Sequence, residues 1–468
     1  MSSLRPAGVF PQLARWRSRE RRTHHACSGF LFSFFVLALV SGVVRAGAIA
    51  DPPLLITVGE VTDSSAVVWV RGSGPGQFVI EYSINPDLSD RREAQTTPAD
   101  AARDFTGRVQ LGSLSPATRY HYKVSHQGNV VNGQFVTAPA REDPRRLSFL
   151  WSGDLGGAGR CRAAQRGYPI FDPMARLAPD FFLLVGDTIY ADSRCPSPPN
   201  VPGANFYAAS LKGFRDKHRY NRSDPVLQRF FRETSVYAIW DDHEVKNDFA
   251  GPTEPLMPAG RQAFLDYWPI TPPPDDATRL YRSFRWGRLA ECFILDTRQY
   301  RSPHIEPDGP SKTMLGNAQK DWLVDRVVNS DSVWKIVVSS VTLSYPTGEG
   351  WAWGLKGPGY ESELRSILEK FKQGGVKNLV WLSADIHHAQ VIRYAPWPDF
   401  SMYEFTAGPL SASMGRPRVL WTTFKPVSIF EKGDFYNFGQ VTVDKSGLTV
   451  RIYDDTGTPH FEETFPPW

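Results

Sequence analysis

Four segments of the chain share one pattern, a short apolar run that stops abruptly at a carboxylate. The fullest is Asp180-Phe-Phe-Leu-Leu-Val-Gly-Asp-Thr-Ile-Tyr-Ala-Asp192, with Asp187, Tyr190 and Asp192 all able to offer oxygen to a metal. The others are Phe149-Leu-Trp-Ser-Gly-Asp154, Tyr237-Ala-Ile-Trp-Asp-Asp-His243 and Leu379-Val-Trp-Leu-Ser-Ala-Asp-Ile-His-His388. An apolar run of this length ending at Gly or an acid reads as a buried strand of a central sheet. The acid then sits just past the strand's carboxyl end, where open α/β sheets place their ligands. Carboxylates crowded at one sheet edge repel unless a cation neutralises them, so the pattern predicts metal, and two ions sharing a bridging carboxylate fit it best.

The rest of the chain is consistent with such a core. At 468 residues it exceeds what one core usually fills. The net charge is only +4, with basic and acidic residues interspersed, which excludes a concentrated nucleic-acid-binding face. The first fifty residues stand apart. Arg15–Arg22 is basic, Gly29–Val44 is apolar, and small residues follow at Ala46–Ala50, the layout of a secretory signal peptide over 1–50. The alternative, a membrane anchor, meets an apolar run shorter than the roughly 20 residues a span requires. Arg21-Arg22 leaves the export route open between general secretion and a twin-arginine path. After removal of the signal, Cys161, Cys195 and Cys292 remain. Cys161 and Cys195 follow Asp154 and Asp187 by seven and eight residues, so a disulfide between them would tie two site loops. Cys161 as a metal ligand is the alternative. Cys292 reads as a small buried hydrophobe.

From residue 51 to 140 the pattern is all-β. Tyr120, following Leu114-Ser-Pro at the start of a strand, has the placement of a tyrosine corner. This segment resembles a fibronectin type III module, an immunoglobulin-like sandwich, and carries no acid or His cluster. A charged linker, Ala140–Arg146, leads into residues 147–468, where strands alternate with helices expected over Ala163–Leu177, Leu227–Glu233, Arg261–Tyr267, Ala318–Val328 and Glu361–Gln373. Gly439–Asp444 and Leu448–Asp454 form a hairpin expected to close a sheet edge.

Three blocks, Gly186-Asp-Thr-Ile-Tyr-Ala-Asp192, Trp240-Asp-Asp-His-Glu-Val-Lys-Asn247 and Leu382-Ser-Ala-Asp-Ile-His-His388, resemble the signatures of PhoD-type alkaline phosphatases of the calcineurin-like metallophosphoesterase superfamily. Leu295–Tyr300 and Phe405–Leu410 are further matching blocks. The resemblance implies a four-layer α/β/β/α catalytic sandwich preceded by the all-β domain. It implies Asp187 as the bridging ligand, Asp154, His387 and Tyr190 on a first ion, and Asp242 and Asp385 on a second. His243 would be the catalytic acid, and Asn247 an added oxygen contact. Arg160 would pair with phosphate oxygens, and Arg298 either does so or forms an internal ion pair. With Tyr190 and so many carboxylates, Fe³⁺ with Ca²⁺ is the favoured pair, Zn²⁺ or Mn²⁺ the alternatives. The implied activity is hydrolysis of phosphate mono- or diesters by an exported enzyme. A phospholipase D-like diesterase acting on phospholipid headgroups is the nearest alternative, with the Trp351–Tyr360 loop setting pocket width. A secreted binding protein using metal for stability is the alternative from another class.

Overall fold

The computed structural model describes residues 51–157, 160–343, 352–353 and 359–467. The signal-peptide reading, and most of the Trp351–Tyr360 loop, therefore lie outside the described residues. Two large sheets dominate. One has nine strands, in the order Pro459–Phe465, Gly447–Asp454, Asn437–Asp444, Leu147–Ser152, Phe181–Val185, Ser235–Ile239, Leu55–Gly59, Ala66–Arg71 and Thr106–Leu111. The other has seven, in the order Arg282–Trp286, Ala290–Ile294, Trp334–Val338, Leu379–Ser383, Phe400–Thr406, Ala389–Trp397 and Pro426–Lys432.

Side-chain alternation along each strand explains why the sheets stack. In the second sheet Cys292, Ile336, Val338, Val380, Leu382 and Phe405 join one apolar core, whereas Phe293, Val337, Trp381 and Met402 join another. The first core lies between the sheets, where Phe181 stacks on Phe149 with ring centroids 4.6 Å apart and meets Trp286 across the gap at 4.9 Å. The second core is closed by the helices Gly316–Val328 and Glu361–Gln373, which supply Leu323, Leu364, Ile367 and Phe371. On the opposite side Phe182 turns outward to Phe230 of the helix Pro225–Glu233. The result is the four-layer α/β/β/α arrangement, buried on both faces of each sheet as parallel strands require.

The amino-terminal all-β segment supplies a four-stranded sheet, Arg92–Gln95, Val79–Ser83, Arg119–His126 and Asn129–Val136, and Ser115 N–H donates to Tyr120 Oη at 2.9 Å in the corner expected there. Its remaining strands do not form a separate partner sheet. Leu55–Gly59 runs parallel to Ser235–Ile239, with Gly59 opposite Val236, and so extends the nine-stranded sheet. Ile56 N–H donates to Gln228 Oε1 at 2.7 Å, and Tyr237 Oη donates to the Val61 carbonyl at 2.5 Å. The linker at 140–146 thus separates sequence segments without separating sheets.

The helix expected over Ala163–Leu177 is confined to Phe171–Arg176. Ala163 and Gly167 pair across a tight turn, and Pro169 has no N–H to continue a helix. Leu211–Arg222 is a helix that the sequence pattern did not reveal, since its residues are mostly basic and polar; Ser210 caps it by accepting from Gly213 N–H. The carboxyl-terminal hairpin pairs with Leu147–Ser152 through Asn437–Asp444, and a further strand, Pro459–Phe465, takes the edge. Among the described residues no helix is long and apolar enough to cross a membrane.

Candidate metal centre

The carboxyl ends of Leu147–Ser152, Phe181–Val185 and Ser235–Ile239 in one sheet, and of Leu379–Ser383 in the other, meet at one place. They deliver three groups of side chains whose candidate ligand atoms lie within 4.8 Å of one another: Asp154, Asp187 and His387; Asp187, Asp242 and His243; and Asp241, Asp242 and Asp385. Asp187 and Asp242 are each shared between two groups. The acids stand at the abrupt turns that end the strands. Asp154, Asp187, Asp385 and His387 have φ of 62°, 49°, 72° and 57°, a left-handed conformation that is costly for residues other than Gly and clusters at functional sites. Room for Asp154 comes from Gly408, at φ 146°, where a β-carbon would lie 2.2 Å from Asp154 Oδ2.

Both carboxylate oxygens of Asp154, and Oδ2 of Asp187 and of Asp385, are buried with no hydrogen-bond partner. Burial, reinforced by the neighbouring acids, pushes the carboxyls of Asp154, Asp187 and Asp385 well above the ordinary range. Buried oxygens without protein donors, in a pile of like charges, fit divalent or trivalent cations. The donors beside them fit too. His387 Nδ1 hydrogen-bonds the Ser413 carbonyl at 2.5 Å, which leaves the lone pair on Nε2 facing Tyr190 Oη at 2.9 Å and Asp154 Oδ1 at 3.6 Å. Burial holds the His387 imidazole down at about 4, so it is neutral and able to ligate. Burial also pushes the Tyr190 phenol well above its usual value. Ionising it needs a strongly Lewis-acidic cation.

Asp242 behaves differently from the other acids. Burial would raise it, but the Arg298 guanidinium, His243 and the Asp248 N–H at 2.6 Å hold its carboxyl well below the usual range. Arg298 is fully buried and pairs with Asp241 through Nε at 2.7 Å and Nη2 at 3.1 Å, with Asp242 at 3.6 Å. Of its two expected roles, this is the internal ion pair. Glu244, not singled out from sequence, receives Thr188 N–H at 2.5 Å and Asp241 N–H at 2.8 Å, and so pins the second acid loop to the third.

His243 lies against the Tyr190 ring, with centroids 4.1 Å apart, and its Nδ1 is 2.6 Å from Asp192 Oδ1. Burial would lower its pKa, but Asp242 and the bond to Asp192 outweigh that and hold the imidazole up at about 9. Asp192 was legible only as an oxygen donor near Asp187; the structure makes it the residue that orients His243. Replacing Asp192 with Asn keeps the shape but removes the charge. Turnover is expected to fall about 10- to 100-fold with metal content unchanged, as measured by steady-state kinetics beside elemental analysis. Loss of metal with turnover would assign Asp192 to the ligands instead.

Besides Tyr190, which stands beside His387, two expected residues lie outside the three groups. Asn247 is exposed; its main-chain N–H donates to Asp192 Oδ2 at 2.7 Å and its side-chain amide to Asp248 at 2.6 Å. Arg160 is exposed, and its guanidinium sits 5.3 Å from the centroid of the Tyr436 ring. Cys161 and Cys195 form a disulfide, with sulfurs 2.00 Å apart, that joins the loops following Asp154 and Asp187 and removes Cys161 from the set of ligands. Cys292 is a buried free thiol.

The chain is similar to known proteins in sequence and in fold. The model of the PhoD-like phosphatase family matches residues 158–447, and that of its N-terminal domain matches residues 50–139. Alkaline phosphatase D of Bacillus subtilis (strain 168) is 25% identical over 382 residues, which span 71% of this chain and 64% of that protein. A solved structure of PhoD aligns over 88% of this chain and 92% of its own, with a TM-score of 0.69 and 19% identity. A purple acid phosphatase from seeds of yellow lupin (Lupinus luteus) aligns over 89% of this chain and 74% of its own, with a TM-score of 0.64 and 14% identity. At those identities the two structures speak for the fold.

Proposed function

The chain belongs to the PhoD-like phosphatase family, and from that premise we propose that it is an exported metal-dependent phosphoesterase hydrolysing phosphate mono- and diesters. The observation that carries this reading is the convergence of three carboxylate groups, joined through Asp187 and Asp242, around buried oxygens that no protein donor satisfies. When bound, paired cations would neutralise the acids, activate a water and clamp the phosphoryl oxygens.

The chain's own residues divide that work. Asp187 would bridge the ions, Asp154, His387 and Tyr190 would hold one, and Asp242 and Asp385 the other, with Asn247 at the rim. The phenol, with burial set against its ionisation, favours Fe³⁺ at the first position. Carboxylates alone at the second favour Ca²⁺, with Zn²⁺ or Mn²⁺ as alternatives. The bond to Asp192 steadies His243 and favours its protonated form, and His243 stands beside two of the acids. It can therefore protonate the leaving oxygen as the phosphorus–oxygen bond breaks.

Replacing His243 with Ala tests the reading. Hydrolysis of p-nitrophenyl phosphate and bis-p-nitrophenyl phosphate is expected to drop about 10²- to 10⁴-fold while metal content by elemental analysis stays at wild-type level. Full activity in that variant would overturn the assignment of the acid. A wild-type protein that binds metal and hydrolyses neither ester would favour a binding protein.

A further inference from the structure

The structure assigns Asn221 as a positioning residue for the metal centre: its amide clamps the loop that carries Asp154 to the loop that carries Asp187, and so sets the spacing of the first ion's ligands. The inference rests on the metal-centre reading above and adds to it a residue outside the ligand set.

Asn221 comes from Leu211–Arg222, the helix whose polar sequence hides its buried face. The residue is 3% exposed, and its amide is fully engaged. Nδ2 donates to the Leu155 carbonyl at 3.1 Å and to the Thr188 carbonyl at 3.0 Å. Oδ1 accepts from the Tyr168 hydroxyl at 2.6 Å, which turns both N–H groups toward the two carbonyls. Leu155 and Thr188 each directly follow an acid of the centre. Leu155 N–H also donates to the Asp187 carbonyl at 2.8 Å, so the amide closes a ring of hydrogen bonds between the two turns. Among the described residues no other donor reaches either carbonyl. Thr188 is held at both ends, its N–H by Glu244 and its carbonyl by Asn221.

Two forces work against these turns. Asp154 and Asp187 both hold left-handed backbone, which persists only where the surroundings over-determine it. Their buried carboxylates also repel each other wherever no cation lies between them, which drives the turns apart. The helix opposes both. One turn before Asn221, Lys217 Nζ donates to the Ser193 and Ala204 carbonyls, and so grips the chain beyond Asp192. An amide and an ammonium, each on two main-chain carbonyls, do for these loops what an apolar helix face could not.

Asn221→Leu tests the assignment by removing both donors. The metal-loaded protein is dialysed against graded dipicolinate, and retained metal is read by elemental analysis. Half-loss is expected at a chelator concentration about tenfold or more below that of the wild type. On p-nitrophenyl phosphate kcat should fall about tenfold with KM little changed. The pH profile should keep its shape, because the His243–Asp192 pair is untouched. His218→Leu is the control, since His218 lies on the same helix and packs on Phe264 and Tyr267 rather than on either loop. It should lower the melting temperature and leave metal retention unchanged. Wild-type metal retention in Asn221→Leu, or an equal loss of metal in His218→Leu, would overturn the assignment. Asn221→Ala carries the same expectation should the larger side chain not fold. Metal retention is read without substrate, so a wild type that hydrolyses no ester ends the phosphoesterase reading and leaves this assignment to be decided on metal alone.

Discussion

Replacing Asp187 with Asn is expected to lower hydrolysis of p-nitrophenyl phosphate about a thousandfold or more and to leave the purified protein short of at least one cation. Among the described residues Asp187 alone joins the Asp154–His387 group to the Asp242–His243 group, so its loss disturbs both. The same substitution should have the opposite sign on stability once metal is stripped. Burial and the charges of Asp242, Asp241, Glu244 and Asp154 all oppose ionisation of Asp187, so a neutral amide relieves repulsion that the wild type otherwise bears. After chelation the variant should melt above the wild type; with metal present the order should reverse. Calorimetry of both proteins, with and without a chelator, reads this directly. A variant that keeps full metal and full activity would remove Asp187 from the centre.

The second large effect concerns stability. Arg298→Leu is expected to cost about 3–5 kcal/mol, because it leaves Asp241 buried without its partner. The guanidinium is fully buried and holds Asp241 in a two-pronged bond, with Ser340 Oγ as the other donor at 2.6 Å. Removing both charges, in Arg298→Leu with Asp241→Asn, should recover only part of the loss, since Asp241 is then no longer an orphan charge but Asp242, 3.6 Å from the lost guanidinium, still is. Urea unfolding of the single and double variants measures the coupling. A cost below about 1 kcal/mol for the single variant would mean that the pair is dispensable, as surface pairs are.

These two residues also mark what can be read from sequence and what cannot. Asp187 was legible because an apolar strand followed by Gly-Asp writes its own position: the hydrophobic run fixes where the strand stops, and the stop fixes where the acid stands. The same logic found Asp154, Asp242, Asp385 and His387, which the structure brings together. Arg298 was legible as one of two roles, an ion pair or a phosphate contact, but its partner was not, nor were the roles of Asp192 and Glu244, because each acts on a residue in another loop, Arg298 on Asp241 and Asp192 on His243, and no local periodicity records such pairings. Helices followed the same rule. Glu361–Gln373, with apolar residues at helical spacing, was found residue for residue. Leu211–Arg222 was not, because its buried face is made in part of Lys217, His218, Asn221 and Arg222, which read as exposed.

The parallel pairing of Leu55–Gly59 with Ser235–Ile239 has a consequence for how the molecule is made. The first strand of the described chain must wait for a neighbour that the ribosome delivers far later. Until then, that strand keeps one open backbone edge that invites the wrong partner. The neighbour it waits for is the one that ends at Asp242 and His243. The sheet edge that Leu55–Gly59 covers and the third acid loop therefore share one strand, and a shortened chain lacking its first ninety residues would expose it.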